Sequence, residues 1–114
     1  MIYSMGLSMS GIRAAFGMMD SSAHNTANIS TDGFKKLKTR LVEGAGGGVE
    51  TYVEKSDARG PLYLSSEGRL IEASNVDYVE ELSTQIIARH LLSFNVKALQ
   101  TADEMQKTLL DLFA

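Results

Sequence analysis

Ser74–Ala114, SNVDYVEELSTQIIARHLLSFNVKALQTADEMQKTLLDLFA, contains neither proline nor glycine, the two residues that cost most inside a helix. Its apolar residues recur at Ile87, Leu91, Phe94, Ala98, Ala102, Met105, Leu109 and Leu112, in steps of three and four that put all eight on one stripe of a helix. A second stripe at Leu92, Val96, Leu99, Leu110 and Phe113 flanks the first. Ser74 or Asn75 is placed to cap the start, and Glu80 and Glu81 put negative charge near the first turn. About 38 residues at ~1.5 Å each predict a helix roughly 57 Å long. A compact chain of this size has a radius of gyration of only about 13 Å. Such a helix needs a partner.

The other end of the chain supplies a candidate. Ile2, Met5, Met9, Ile12, Phe16 and Met19 step by three and four, the spacing of a coiled-coil seam. Gly6, Gly11 and Gly17 lie within the same segment, each weakening an isolated helix by up to about 1 kcal/mol. This helix is therefore expected to form only when packed. The five methionines among the first 19 residues read as adaptable packing rather than a soft-metal site. Ser30, Thr31, Asp32 and Gly33 mark the turn that ends it.

Between these ends the period changes. Phe34–Val42 reads as a loosely alternating strand carrying Lys35, Lys36, Lys38 and Arg40, and Val49–Glu54 as a second strand. The run Gly44–Gly48 separates them and reads as a flexible turn. Pro61 marks a loop, Leu62–Leu64 a short extended piece, and Arg69–Ala73 the lead into the long helix.

These readings predict a mainly α fold: two long terminal helices forming a coiled coil, with a small β-rich insert between them. Residues 1–33 form the N-terminal helix and turn, 34–73 the short β-rich middle and 74–114 the C-terminal helix, one structural domain overall. The C-terminal helix is the longer by roughly 10 residues, an overhang of ~15 Å at the standard rise. Its cover is expected to be another copy of the chain. The expected interface is the stripe Ile2, Met5, Met9, Ile12, Phe16, Met19 and the stripe from Ile87 to Leu112.

Composition narrows the function. A net charge of −3 and a pI near 5.3 argue against a basic grip on nucleic acid. With no cysteine, disulfides and thiolate zinc sites are excluded. The first residues lack the basic-then-apolar layout of a secretory signal, so any export is expected to follow a route that reads no cleaved signal.

No residue set points to catalysis. His24 and His90 stand in no metal-binding motif and read as ordinary surface or interface histidines. The triple glycine Gly46–Gly48 is not followed by the Gly-Lys-Ser/Thr of a phosphate loop. Asp103–Glu104 and Glu80–Glu81 are helix neighbours that diverge by about 100°, too far to converge on one substrate. The basic cluster from Lys35 to Arg40 reads as a solvated strand face. The expectation is a protein that is not an enzyme, without cofactor, metal or small-molecule substrate.

Two motifs resemble one family. Ala27–Lys36, ANISTDGFKK, is similar to the N-terminal signature of bacterial flagellar axial proteins, an Ala-Asn pair ahead of a Thr-x-Gly-Phe/Tyr-Lys turn. Upstream, Leu7–Ala15 looks like that family's first helix. Glu72–Leu82, EASNVDYVEEL, is similar to the opening of its C-terminal domain, and Asn95, Lys97 and Gln100–Met105 continue the likeness. The resemblance implies a structural subunit of the basal-body rod, or of a rod/hook-type axial structure, that self-assembles through its terminal helices. It implies other flagellar axial proteins and the type III export apparatus as partners, and the periplasmic rod as location. The rival expectation is a free-standing coiled-coil adaptor or export chaperone of the flagellar secretion system.

Overall fold

Asp77 sets the start of the long helix: its carboxylate accepts the Val79 N–H at 2.9 Å, and helix α2 runs from Tyr78 to Phe113. Ser74 and Asn75 do not cap it. Ser74 is buried, and the Asn75 side chain accepts the Lys36 N–H at 2.6 Å and donates to the Ala58 carbonyl at 2.9 Å. The N-terminal helix α1 spans Ile2–Ala27 and ends at the turn that leads to Gly33, whose φ of 71° suits glycine.

Between the helices lie two antiparallel hairpins. Strands β1 (Leu37–Glu43) and β2 (Val49–Lys55) pair from Leu37↔Lys55 to Glu43↔Val49. Strands β3 (Leu62–Leu64) and β4 (Leu70–Glu72) form the second, separate sheet. The pairing of Leu70–Glu72 with Leu62–Leu64 is absent from the sequence reading, which takes Arg69–Ala73 only as the lead into the helix. Three-residue strands carry almost no periodicity to read.

The computed structural model describes residues 1–114 as an elongated body of 78 × 24 × 14 Å with a radius of gyration of 20.0 Å. Helices α1 and α2 lie side by side and antiparallel: Ser22 meets Glu81, Gly11 meets Asn95, and Met1 lies near Met105. The first hairpin packs along the flank of α1. Thr39 Oγ1 donates to Ser21 Oγ at 2.7 Å, the Val49 N–H donates to Ser10 Oγ at 3.0 Å, and Thr51 lies over Gly17.

The fold class departs from the expected mainly α coiled coil. Four strands of seven, seven, three and three residues make a true helix–strand–helix chain. Nor do the helices meet through the expected seams. The buried positions of α1 are Gly11, Ala14, Ala15, Ser21, Ser22 and Asn25, while Ile2, Met9 and Phe16 are exposed. On α2 the buried or half-buried line runs through Glu81, Gln85, Ala88, Leu92, Asn95, Leu99, Ala102 and Gln106. It too advances in steps of three and four.

The physical reason lies in residue size and hydrogen bonding. Glycine and alanine let two helix backbones approach closely, and Ser21, Ser22 and Asn25 find partners on the hairpin and on α2 only in this rotation. Buried polar groups require such partners, so they fix the rotation against the preference of the larger apolar side chains. Only four apolar residues are fully buried, all of them alanines: Ala14, Ala15, Ala88 and Ala102.

Candidate functional site

Asn25 ties three elements together at one end of the helix pair. Its Oδ1 accepts the Leu37 N–H at 2.7 Å and its Nδ2 donates to the Leu37 carbonyl at 2.8 Å, as a neighbouring strand would. The same Nδ2 donates to Glu81 Oε1 at 3.0 Å. Ser22 Oγ donates to the Glu81 carbonyl at 3.1 Å, and Gln85 Nε2 donates to Ser22 Oγ and Thr26 Oγ1. No buried side-chain polar atom is left without a partner.

The two stretches that carry the sequence resemblance meet beside this cluster. The Gly33 N–H donates to the Glu72 carbonyl at 2.8 Å, and the Asn75 N–H donates to the Phe34 carbonyl at 3.3 Å. Lys35 Nζ pairs with Glu72, and Lys36 Nζ pairs with Glu80. The bonded Lys35 ammonium, then the Gly60 N–H, hold the Glu72 carboxyl below its ordinary pKa. Tyr63 Oη donates to Asp32 at 2.8 Å, and that bond raises the phenol's pKa. Arg40 reaches Glu54 at 3.5 Å, so much of the basic cluster is answered within the chain.

What remains outward is apolar. On α1, Ile2 is 80% exposed, Met9 and Phe16 are exposed, and Met5, Ile12 and Met19 are half-buried. On α2, Phe94 is 71% and Leu112 75% exposed, and Ile87, Ala98, Met105 and Leu109 are exposed as well. Leu91 is half-buried and Ala102 buried. The two expected stripes therefore do not face each other within the chain. Ile2, Met5 and Met9 instead meet Leu99, Gln100 and Asp103 across an open groove of about 660 Å³. Met105 and Leu109 line a second groove of about 420 Å³ beside Met1.

Sequence reasoning missed the polar cluster of Ser22, Asn25, Glu81 and Gln85. The signal that could have found it is a line of small and polar residues at the same period as the apolar stripe. The histidines do no joint chemistry: His24 packs edge-on against Phe34 and His90 stacks on Phe94. No group of three or more His, Asp or Glu side chains converges to hold a metal ion. No helix is long and apolar enough to cross a membrane.

The chain is thus a slender helix pair with outward apolar faces and a polar junction where its two motif-bearing stretches meet. Residues 67–112, which take in β4 and nearly all of α2, match the family described as the flagellar basal body rod FlgEFG protein C-terminal domain. The N-terminal motif Ala27–Lys36 lies outside the matched span. No curated protein matches the chain. A domain of this family points to a rod-type structural role in the flagellar basal body, in company with other flagellar structural proteins, rather than to catalysis.

Proposed function

We propose that the chain is a structural subunit of the flagellar basal-body rod, or of a rod/hook-type axial structure, and that it self-assembles through the outward apolar faces of its terminal helices. In this reading it reaches the periplasmic rod through the flagellar type III export apparatus. The observation that carries the reading is the mismatch between a four-alanine apolar core and the large apolar side chains left in water, Ile2, Met9 and Phe16 on α1 and Ile87, Phe94, Met105, Leu109 and Leu112 on α2. Exposed contiguous apolar surface marks an interaction site. A heterologous contact that does not close on itself builds a tube or filament.

The test is a double substitution, Phe94→Asp with Leu112→Asp, at two exposed positions where the isolated fold has little to lose. The variant is expected to keep its circular dichroism spectrum and to remain monomeric in sedimentation velocity while the parent chain assembles. In the bacterial host the same substitutions are expected to abolish motility and leave incomplete basal bodies. A variant that assembles and swims like the parent overturns the proposal. A stable small oligomer with no polymer would favour the adaptor or chaperone reading instead.

A further inference from the structure

The first ten residues of the chain are poorly equipped to stay helical alone. Met1 offers the helix no side-chain cap, the first turn has no acidic residue, and Gly6 follows in the second turn. Towards α2 this half of α1 faces the open groove lined by Met5, Met9 and Leu99. Towards the turn of the first hairpin it is in close contact.

Tyr3 Oη donates to the Gly46 carbonyl at 3.4 Å, and Ser10 Oγ accepts the Val49 N–H at 3.0 Å while donating to the Leu7 carbonyl at 2.7 Å. Gly47 and Gly48 have φ of 84° and 80°, a region that L side chains enter at a cost. A Cβ on Gly47 would run into the Tyr3 hydroxyl, and one on Gly48 would lie 2.5 Å from Ser10 Oγ. Leu7 Cδ2 lies 3.3 Å and 3.5 Å from those same two positions. Tyr3, Leu7 and Ser10 are four and three residues apart and form one strip of the helix. The turn is itself closed by the Gly47 N–H on the Gly44 carbonyl at 2.9 Å and the Gly44 N–H on the Gly48 carbonyl at 3.1 Å.

We propose that Gly44–Gly48 is a clasp: it holds the N-terminal half of α1 on the body, with Tyr3, Leu7 and Ser10 as the strip it grips. The sequence reading of this run as a flexible turn leaves out that grip. Opening the clasp frees residues 2–10 as an arm, while residues 18–27 stay in place through Ser21, Ser22 and Asn25. The clasp holds whether or not the chain is a rod subunit.

The test is hydrogen–deuterium exchange, read by mass spectrometry on the full chain at a concentration where it is monomeric. The variants are Gly47→Ala, Gly48→Ala and Ser10→Ala. Gly46→Ala is one control, because a Cβ there would meet nothing within 4 Å and the φ of that glycine is not positive, so its carbonyl can keep the Tyr3 bond. Gly68→Ala is the other, because its φ of 77° is strained for alanine but its surroundings are open. Exchange in residues 2–10 is expected to rise roughly tenfold or more in the Gly47 and Gly48 variants and less in Ser10→Ala. Residues 18–27 and 81–95, and residues 2–10 of both controls, are expected to exchange as in the parent. Unchanged exchange in residues 2–10, a parent already unprotected there, or a loss spread evenly over both helices overturns the clasp.

Discussion

The Asn95 carboxamide occupies the place where a Cβ on Gly11 would have to go. The same side chain donates from Nδ2 to the Leu91 carbonyl at 2.8 Å, so it is held along its own helix and cannot swing away freely. Gly11 is buried where α1 lies against α2. A glycine inside a helix, a weakness when the sequence is read alone, is here the condition for close approach.

Gly11→Ala sets two effects against each other. Alanine gains about 1 kcal/mol of helix propensity over glycine. Overpacking a close contact costs typically 1–3 kcal/mol. The substitution is expected to lower stability by roughly 1 kcal/mol net in urea titrations. Adding Asn95→Ala should return most of that loss, giving a coupling between the two sites in a double-mutant cycle. Purely additive effects would mean that the clash is relieved by helix movement instead.

Asn25→Ala removes the partner of both Leu37 backbone groups and the donor to Glu81. Buried groups left without partners cost about 1–3 kcal/mol each, so a loss of roughly 2–4 kcal/mol is expected. Asn25→Asp keeps an acceptor for the Leu37 N–H but sets a second carboxylate against Glu81. Its stability should fall as well, and the fall should shrink at low pH, where carboxylates are protonated. Denaturation at neutral and acidic pH checks both. An Asn25→Ala chain as stable as the parent would remove Asn25 from the account of why the helices sit in this rotation.

Glu72 gives the fold an acid-sensitive contact. Its carboxyl is held below the ordinary value of 4.5, first by the bond from Lys35 and then by the Gly60 N–H. A carboxylate with a lowered folded pKa contributes stability that is present above its unfolded value and is lost as pH falls through the folded one. Unfolding curves from neutral pH down to below 4.5 should therefore show an acid limb that Glu72→Gln flattens. Carboxyl chemical shifts of Glu72 followed by NMR should titrate below the ordinary glutamate range. Titration at or above 4.5 would contradict the contact.

The long helix, its overhang and the strands of the first hairpin were legible because their periods run for many residues. The rotation of the helices was not. On α2 the line through Ile87, Phe94 and Met105 and the line through Ala88, Asn95 and Gln106 repeat at the same spacing, so period alone cannot say which faces the partner. Hydrophobicity chose the first, whereas small residues and hydrogen bonds chose the second. Caps were misplaced for a similar reason: Ser74 and Asn75 are good capping residues, but Asn75 bonds Lys36 and Ala58, distant in sequence, and the buried Ser74 hydroxyl accepts the Val76 N–H ahead of the helix. The meeting of Ala27–Lys36 with Glu72–Leu82 was legible only as a pair of motifs at opposite ends. Nothing in their spacing shows that Asn75 would bond Lys36.

The end of α2 offers a test that separates folding from assembly. Leu110 and Phe113 point into solvent, Phe113 at 88% exposure, and the helix here extends beyond the end of α1. Residues without contacts contribute little to the isolated fold, so a chain ending at Leu109 is expected to keep its stability to within about 0.5 kcal/mol. Self-association raises apparent stability with protein concentration, so both chains must be melted in dilute solution as monomers. At high concentration the parent should gain stability with concentration and the shortened chain should not. A shortened chain that melts much earlier in dilute solution would show the overhang packed on its own body. One that keeps the concentration dependence would place the self-association surface elsewhere on the helices.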